Sequence, residues 1–280
     1  MIYSPFYEFE LRVYNDGTPA LALAKSTRHT TGGHATVYWK YEADKWTMEL
    51  FQLACIKDLL ARNGVETTLI MPYVPNARMD RTRSPNEAFT LKTFCNMINA
   101  MGFDHVHVLD PHSDVTPALL DRCVVHTAGK LVDRVADHIR TEGGHEVIVF
   151  PDAGAEHKYA SERDIAFFTK YGYITGNKTR DWETSWITGY TLTNGELARG
   201  KDVLIVDDIV AHGYTMKFLI EELEKYEPRS ISICCTHLEE SYFDGILYKE
   251  HPTTPIYTTD SIVKHTESQH ITVYKVEDTL

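Results

Sequence analysis

The chain has 280 residues, 43% of them hydrophobic, enough for one large core or two domains of ordinary size. Its net charge of -12 argues against a nucleic-acid surface, because a phosphate backbone demands a basic face. There is no N-terminal signal pattern, no apolar run of membrane-crossing length and no C-x-x-C among the five cysteines, so a soluble, reduced, cytoplasmic protein without membrane contact is expected.

Along the chain, Trp46 to Arg62 reads as a helix stopped by Asn63-Gly64. Thr67 to Met71 reads as a short buried strand. A second helix is predicted over Glu87 to Met101, with Phe94, Met97, Ile98 and Met101 on one face and Gly102 as its stop. A strand over Val106 to Leu109 follows, then a helix from Lys130 to Thr141 ending at Gly143-Gly144, then a strand over Val147 to Phe150. The β-branched run Val203 to Val206 predicts another buried strand, and Met216, Leu219, Ile220 and Leu223 predict the helix after it. This alternation predicts an α/β protein with mostly parallel sheets. The tail, Pro255 to Leu280, alternates at Ile271, Val273 and Tyr274 and is expected to return a strand to the first domain.

Each predicted strand runs into polar residues: Pro72 to Arg81, Asp110 to His112, Asp152, and the adjacent carboxylates Asp207 and Asp208. In open α/β sheets, ligands dock at such carboxyl ends, where helix N-termini converge. Two neighbouring carboxylates suit vicinal hydroxyls or Mg²⁺, and the amides of the following turn, Ala211-His212-Gly213-Tyr214-Thr215, can take a phosphate.

Four segments together carry a resemblance to the ribose-phosphate pyrophosphokinases (PRPP synthetases) and the related type I phosphoribosyltransferases. Val203 to Val210 with the following turn resembles the ribose-phosphate loop, and Pro72 to Arg81 resembles the nucleotide segment P-Y-x-x-x-A-R-Q-D-R. Leu109-Asp110-Pro111-His112 and Pro151-Asp152-Ala153-Gly154 resemble two metal segments, in the family's order. The resemblance implies two tandem phosphoribosyltransferase-like domains, 1–140 and 141–280, and transfer of pyrophosphate from ATP to the anomeric hydroxyl of ribose 5-phosphate with release of AMP. It assigns His112 and Asp152 to Mg²⁺, with Arg78, Asp80 and His112 at ATP. Asp207, Asp208, His212, Gly213, Tyr214 and Thr215 fall to the acceptor ribose. Asn177-Lys178-Thr179-Arg180 matches the K-x-R of a mobile catalytic loop, making Lys178 and Arg180 the catalytic cations. A homo-oligomer, dimer or larger, is likewise implied.

Two departures stand out. The family's adenine loop is replaced by Thr30-Thr31-Gly32-Gly33-His34, which lacks its aromatic platform and carboxylate. In the ribose-phosphate loop, Tyr214 stands in place of a glycine and His212 in place of a threonine, bulk that disfavours a tight cradle for one phosphate. The acceptor expectation therefore leans to ADP-ribose, with ribose 5-phosphate as the alternative. A non-catalytic, PRPP-synthetase-associated regulatory protein is a further reading, opposed by the retained His112, Asp152, Lys178 and Arg180.

Overall fold

Runs that are apolar at every position become strands buried on both faces, and runs with helical spacing become the helices that cover them. A computed structural model describes residues 1–24, 33–139, 146–160, 165, 172–180, 187–264 and 268–280, divided into two units, Met1–His126 and Thr127–Leu280.

The first unit contains β1 (Ile2–Tyr3), β4 (Gly33–Trp39), β5 (Val65–Met71), β6 (His105–Leu109) and β7 (Cys123–His126) in one sheet, in that spatial order. Only the β1–β4 pair is antiparallel. Strands β2 (Phe9–Val13) and β3 (Pro19–Leu23) form a separate hairpin. Helix α1 (Trp46–Arg62) keeps its predicted limits, because Leu53, Ile56 and Leu60 bury one stripe and Gly64, at φ 68°, turns the chain away. Each such fully buried side chain contributes about 1.5–3 kcal/mol. Helix α2 (Thr90–Met101) ends at left-handed Gly102 as expected but begins three residues later than Glu87. The Glu87 carboxylate instead accepts from the Arg83 amide at 2.8 Å, closing a local turn before the helix. Helix α3 (Val115–Leu119) lies between β6 and β7.

The second unit opens with α4 (Gly129–Ile139), the helix predicted as Lys130 to Thr141; residues 140–145 lie outside the described residues. The sequence reading put the domain division near residue 140, whereas α4 sits in the second unit, packing Leu131, Val132 and Val135 with Ile148, Leu204 and Val206. The chain continues through β8 (Glu146–Phe150), α5 (Ala153–Tyr159), β9 (Ile174–Arg180), β10 (Ile187–Thr193) and β11 (Asp202–Val210). Then come α6 (Tyr214–Glu224), β12 (Ser230–Leu238), α7 (Ile246–Glu250), β13 (Ile256–Thr259) and β14 (Ile271–Tyr274). The sheet order is β10-β9-β8-β11-β12-β13-β14, parallel except at β9–β10. The tail strand β14 pairs with β13, so it closes the edge of this sheet and does not return to the first one.

The strand alternation places Val203 and Ile205 with Leu219, Ile220 and Leu223 of α6, and Leu204 and Val206 with α4. From β8 the chain proceeds to β9 on one side, and from β11 to β12 on the other. The β8–β11 junction is therefore a topological switch point, and its carboxyl end is the place where this architecture leaves a crevice.

Candidate functional site

Strand β11 outlasts its prediction. It runs to Val210 because β12 keeps pairing with it, through Asp207↔Cys235, Ile209↔His237 and Val210↔Leu238. Its other neighbour, β8, stops at Ile205↔Val149. Asp207 and Asp208 thus lie inside a strand, at the point where its β8 side has become open, and not in a turn after the strand. Asp208 is buried, while Asp207 keeps part of its surface accessible.

Across the junction, β8 ends at Phe150 and Asp152 caps α5, its Oδ1 accepting the Gly154 and Ala155 amides at 2.9 and 3.0 Å. Its Oδ2 accepts the Lys178 ammonium from β9. Burial raises the Asp152 pKa, but the hydrogen bonds from Lys178 and the two amides outweigh it and hold the carboxyl below its ordinary range. The opposite holds at Asp207. Desolvation, then the negative charges of Asp208 and Asp152, push its carboxyl well above the ordinary range, although the Asp208 amide donates to it at 2.9 Å. Two acids in one crevice whose proton affinities are driven apart suit different work: one a fixed anion, the other a group able to exchange a proton.

The Lys178–Arg180 segment is not an isolated loop. Lys178 lies on β9 opposite Tyr190 of β10, in an antiparallel hairpin. Arg180 closes β9 through its backbone, facing Ile187, while its side chain and residues 181–186 lie outside the described residues. The side chain that sequence reasoning missed is Tyr190. Buried, it donates from its hydroxyl to the Pro151 carbonyl, one residue before Asp152. Gly176 makes this possible, since a β-carbon there would lie 2.3 Å from the Tyr190 hydroxyl and 2.7 Å from the Pro151 oxygen. A glycine two residues before Lys178 was the available signal. Gly176→Ala is expected to cost about 1–3 kcal/mol by forcing ring and strand apart, read as a lowered melting temperature. An unchanged melting temperature would show that the hairpin is free to shift.

Beyond β11, the turn Ala211-His212-Gly213 leads into α6 at Tyr214, whose first amides have no intrahelical partner. Gly213 is left-handed, at φ 81°, and its open side faces Leu247: a β-carbon would come within 2.3 Å of the Leu247 Cβ. His212 and Tyr214 are exposed and Thr215 is half-buried.

In the first unit, Arg78 and Asp80 lie in the segment after β5, with Arg78 exposed and Asp80 half-buried, 3.4 Å from Arg81. Exposed His112 follows β6, β5's partner strand, after buried Asp110 at φ 47°. Gly33 and His34 begin β4, where His34 Nε2 lies 2.8 Å from the Thr68 hydroxyl; residues 30–32 of the altered adenine segment lie outside the described residues. Among the described residues, no group of three or more His, Cys, Asp or Glu side chains is arranged to hold a metal. No helix among them is long and apolar enough to cross a membrane.

A protein-family model, the phosphoribosyl transferase domain, matches residues 136–277. The chain is 28% identical over 202 residues to the ribose-phosphate pyrophosphokinase of Corynebacterium efficiens, covering 69% of this chain and 58% of that one. It is 27% identical over 247 residues to the enzyme of the same name from Saccharolobus solfataricus, covering 84% of this chain and 77% of the relative. It thus spans less than two thirds of the Corynebacterium relative, and the 59% spanned of a Campylobacter jejuni ribose-phosphate pyrophosphokinase is similar. Among solved structures, the phosphoribosylpyrophosphate synthetase of Mycobacterium smegmatis shares the fold, with a TM-score of 0.77 at 19% identity over 96% of this chain and 86% of that one. With the domain model covering residues 136–277, half of its length, the chain belongs to the phosphoribosyl transferase domain family.

Proposed function

We propose that the protein is a Mg²⁺-dependent diphosphotransferase that moves pyrophosphate from ATP to the anomeric 1-hydroxyl of a 5-phosphorylated ribose. The observation that carries this reading is the junction of β8 and β11, where the Lys178–Asp152 clasp and an acid of raised pKa, Asp207, meet at one crevice. The similarity to ribose-phosphate pyrophosphokinases supports the same reading.

In the proposed step the anomeric oxygen attacks the β-phosphorus of ATP, the bond from that phosphorus to the bridging α-oxygen breaks, and AMP leaves. The acceptor proton passes to water. Such transfers need positioning and charge neutralisation more than covalent chemistry. Lys178 and Arg180 would stand over the migrating phosphates, and Asp207 and Asp208 would hold the ribose diol. The α6 amides, with His212, Gly213, Tyr214 and Thr215, would face the 5-substituent. Arg78, Asp80 and His112 would serve ATP.

Asp152 fits Mg²⁺, which keeps most of its waters and takes one or two carboxylates plus substrate phosphates. That the carboxylate accepts the Lys178 ammonium supports the reading of Asp152 as an ionised, cation-binding group. By the family resemblance alone, His112 would serve Mg²⁺ through water or phosphate. Bound Mg²⁺ supplies charge neutralisation at the phosphate oxygens.

The acceptor itself is the finer question. Gly213 is turned toward Leu247, and Tyr214, 48% exposed at the start of α6, adds bulk that disfavours a tight cradle for one phosphate. This favours ADP-ribose over ribose 5-phosphate. A homo-oligomer, at least a dimer, completes the proposal.

The test is incubation with ATP, Mg²⁺ and either acceptor, followed by product mass. AMP formed in step with a pyrophosphorylated acceptor is expected, with the larger kcat/KM for ADP-ribose. Acceptor-dependent ADP and orthophosphate would refute the reaction class. Efficient use of ribose 5-phosphate with ADP-ribose ignored would remove the larger acceptor alone, and no turnover with either would favour the non-catalytic reading.

A further inference from the structure

The acceptor loop does not support itself; it is held from behind by the segment between β12 and α7. Glu239 donates to the Val210 carbonyl at 2.9 Å, and Leu247 donates to the His212 carbonyl at 3.3 Å. A β-carbon on Gly245 would stand 2.4 Å from the His212 oxygen and 2.7 Å from its Cα, so only glycine admits this approach of backbone to backbone. From the other side, Gly213 admits the fully buried Leu247 in the same way. The two glycines are reciprocal: each leaves out a side chain where the opposite segment arrives.

The supporting segment is itself well braced. Gly245 donates to the Tyr242 carbonyl at 2.9 Å, and the rings of Tyr242, Phe243 and Tyr248 meet edge to face with centroids 5.2–5.8 Å apart. Tyr242 and Leu247 are both buried in the core that also holds Val210 and Met216.

We propose that Gly245 and Leu247 are positioning residues of the acceptor loop, setting the backbone of His212 and Gly213 and thereby the affinity for the phosphorylated end of the acceptor. The inference rests on the functional reading above, which makes residues 212–215 the acceptor-binding segment. Neither residue touches substrate in this proposal; both act through the loop. A shift of a few tenths of an ångström at His212 is enough to misalign amides that must converge on one anion, whereas Asp152 at the start of α5 and Lys178 on β9 take no part in these contacts.

The test compares Gly245→Ala and Leu247→Met with a control of similar steric insult elsewhere, Gly195→Ala, whose β-carbon would press within 2.5 Å of the Tyr226 ring. Expected for the first two is an acceptor KM raised about tenfold or more, with ATP KM and kcat within about twofold of wild type. Gly195→Ala is expected to lower the melting temperature while leaving the acceptor KM alone. An unchanged acceptor KM in folded Gly245→Ala and Leu247→Met, or equal rises in both substrates' KM, would overturn the proposal. If wild type turns over neither acceptor, the functional reading falls, and calorimetric titration of ribose 5-phosphate decides the inference: equal affinity of wild type and both variants overturns it.

Discussion

Lys178→Ala is expected to lower kcat about 10²–10³-fold while leaving the KM for ATP and acceptor within a few-fold of wild type. The reason is that a cation aimed at charge developing on a migrating phosphate stabilises the transition state more than the ground state. The ammonium is held on Asp152, so the pairing of β8 with β9 fixes where it stands. The loss of that pair costs little stability, within about 1 kcal/mol, because both side chains remain partly exposed, at 23% and 32%. The sign of the pH dependence follows from the lowered Asp152 pKa. The contribution is present above the ordinary carboxylate value of 3.8 and fades as pH falls below it, so wild type and variant converge in stability at acid pH. Pre-steady-state and steady-state kinetics with parallel thermal melts check the prediction; a near-normal kcat would reduce Lys178 to a structural partner of Asp152.

Asp207→Asn is expected to make the protein more stable at neutral pH and much less active. Desolvation and the charges of Asp208 and Asp152 raise the Asp207 pKa in the folded state, so the folded protein holds this proton more tightly than the unfolded chain does. That stabilisation is complete below the unfolded value near 3.8 and is lost as pH rises through the folded value. An amide carries no charge to desolvate, so the gain in melting temperature appears at neutral pH and shrinks toward pH 4. Activity should move the other way. A charge-assisted hydrogen bond to an acceptor hydroxyl is worth about 1.5–3 kcal/mol, so kcat/KM for the acceptor falls about 10–10²-fold. A variant destabilised at neutral pH would contradict the account of Asp207, and unchanged kcat/KM would remove it from the acceptor site.

Local patterns made much of the fold legible. The extent of α1, the Gly102 stop of α2 and the apolar core of β11 all depend on spacing, capping and burial within a few residues. The strand-end position of Asp152 was legible for the same reason. Where boundaries moved, a partner distant in sequence moved them: β12 extended β11 through Asp207 and Asp208, and β13 captured the tail strand. The K-x-R segment is a loop by resemblance to the family, yet pairing of β9 with β10 makes a strand of it.

By itself, the order of residues determined the α/β alternation, the carboxylates and cations at the strand ends, and the family to which they point. Tertiary structure alone decided what those groups are worth chemically. Asp152 and Lys178 are 26 residues apart, and their ion pair forms only because β8 and β9 are neighbours. The opposite shifts arise because hydrogen bonds from Lys178 and two amides outweigh burial at Asp152, whereas dehydration and two neighbouring carboxylates prevail at Asp207, and no sequence window contains these partners. Gly213 illustrates the difference. Its residue type suggests room for a phosphate, but the space it leaves is taken by Leu247, because a missing β-carbon benefits whichever atom packing brings nearest.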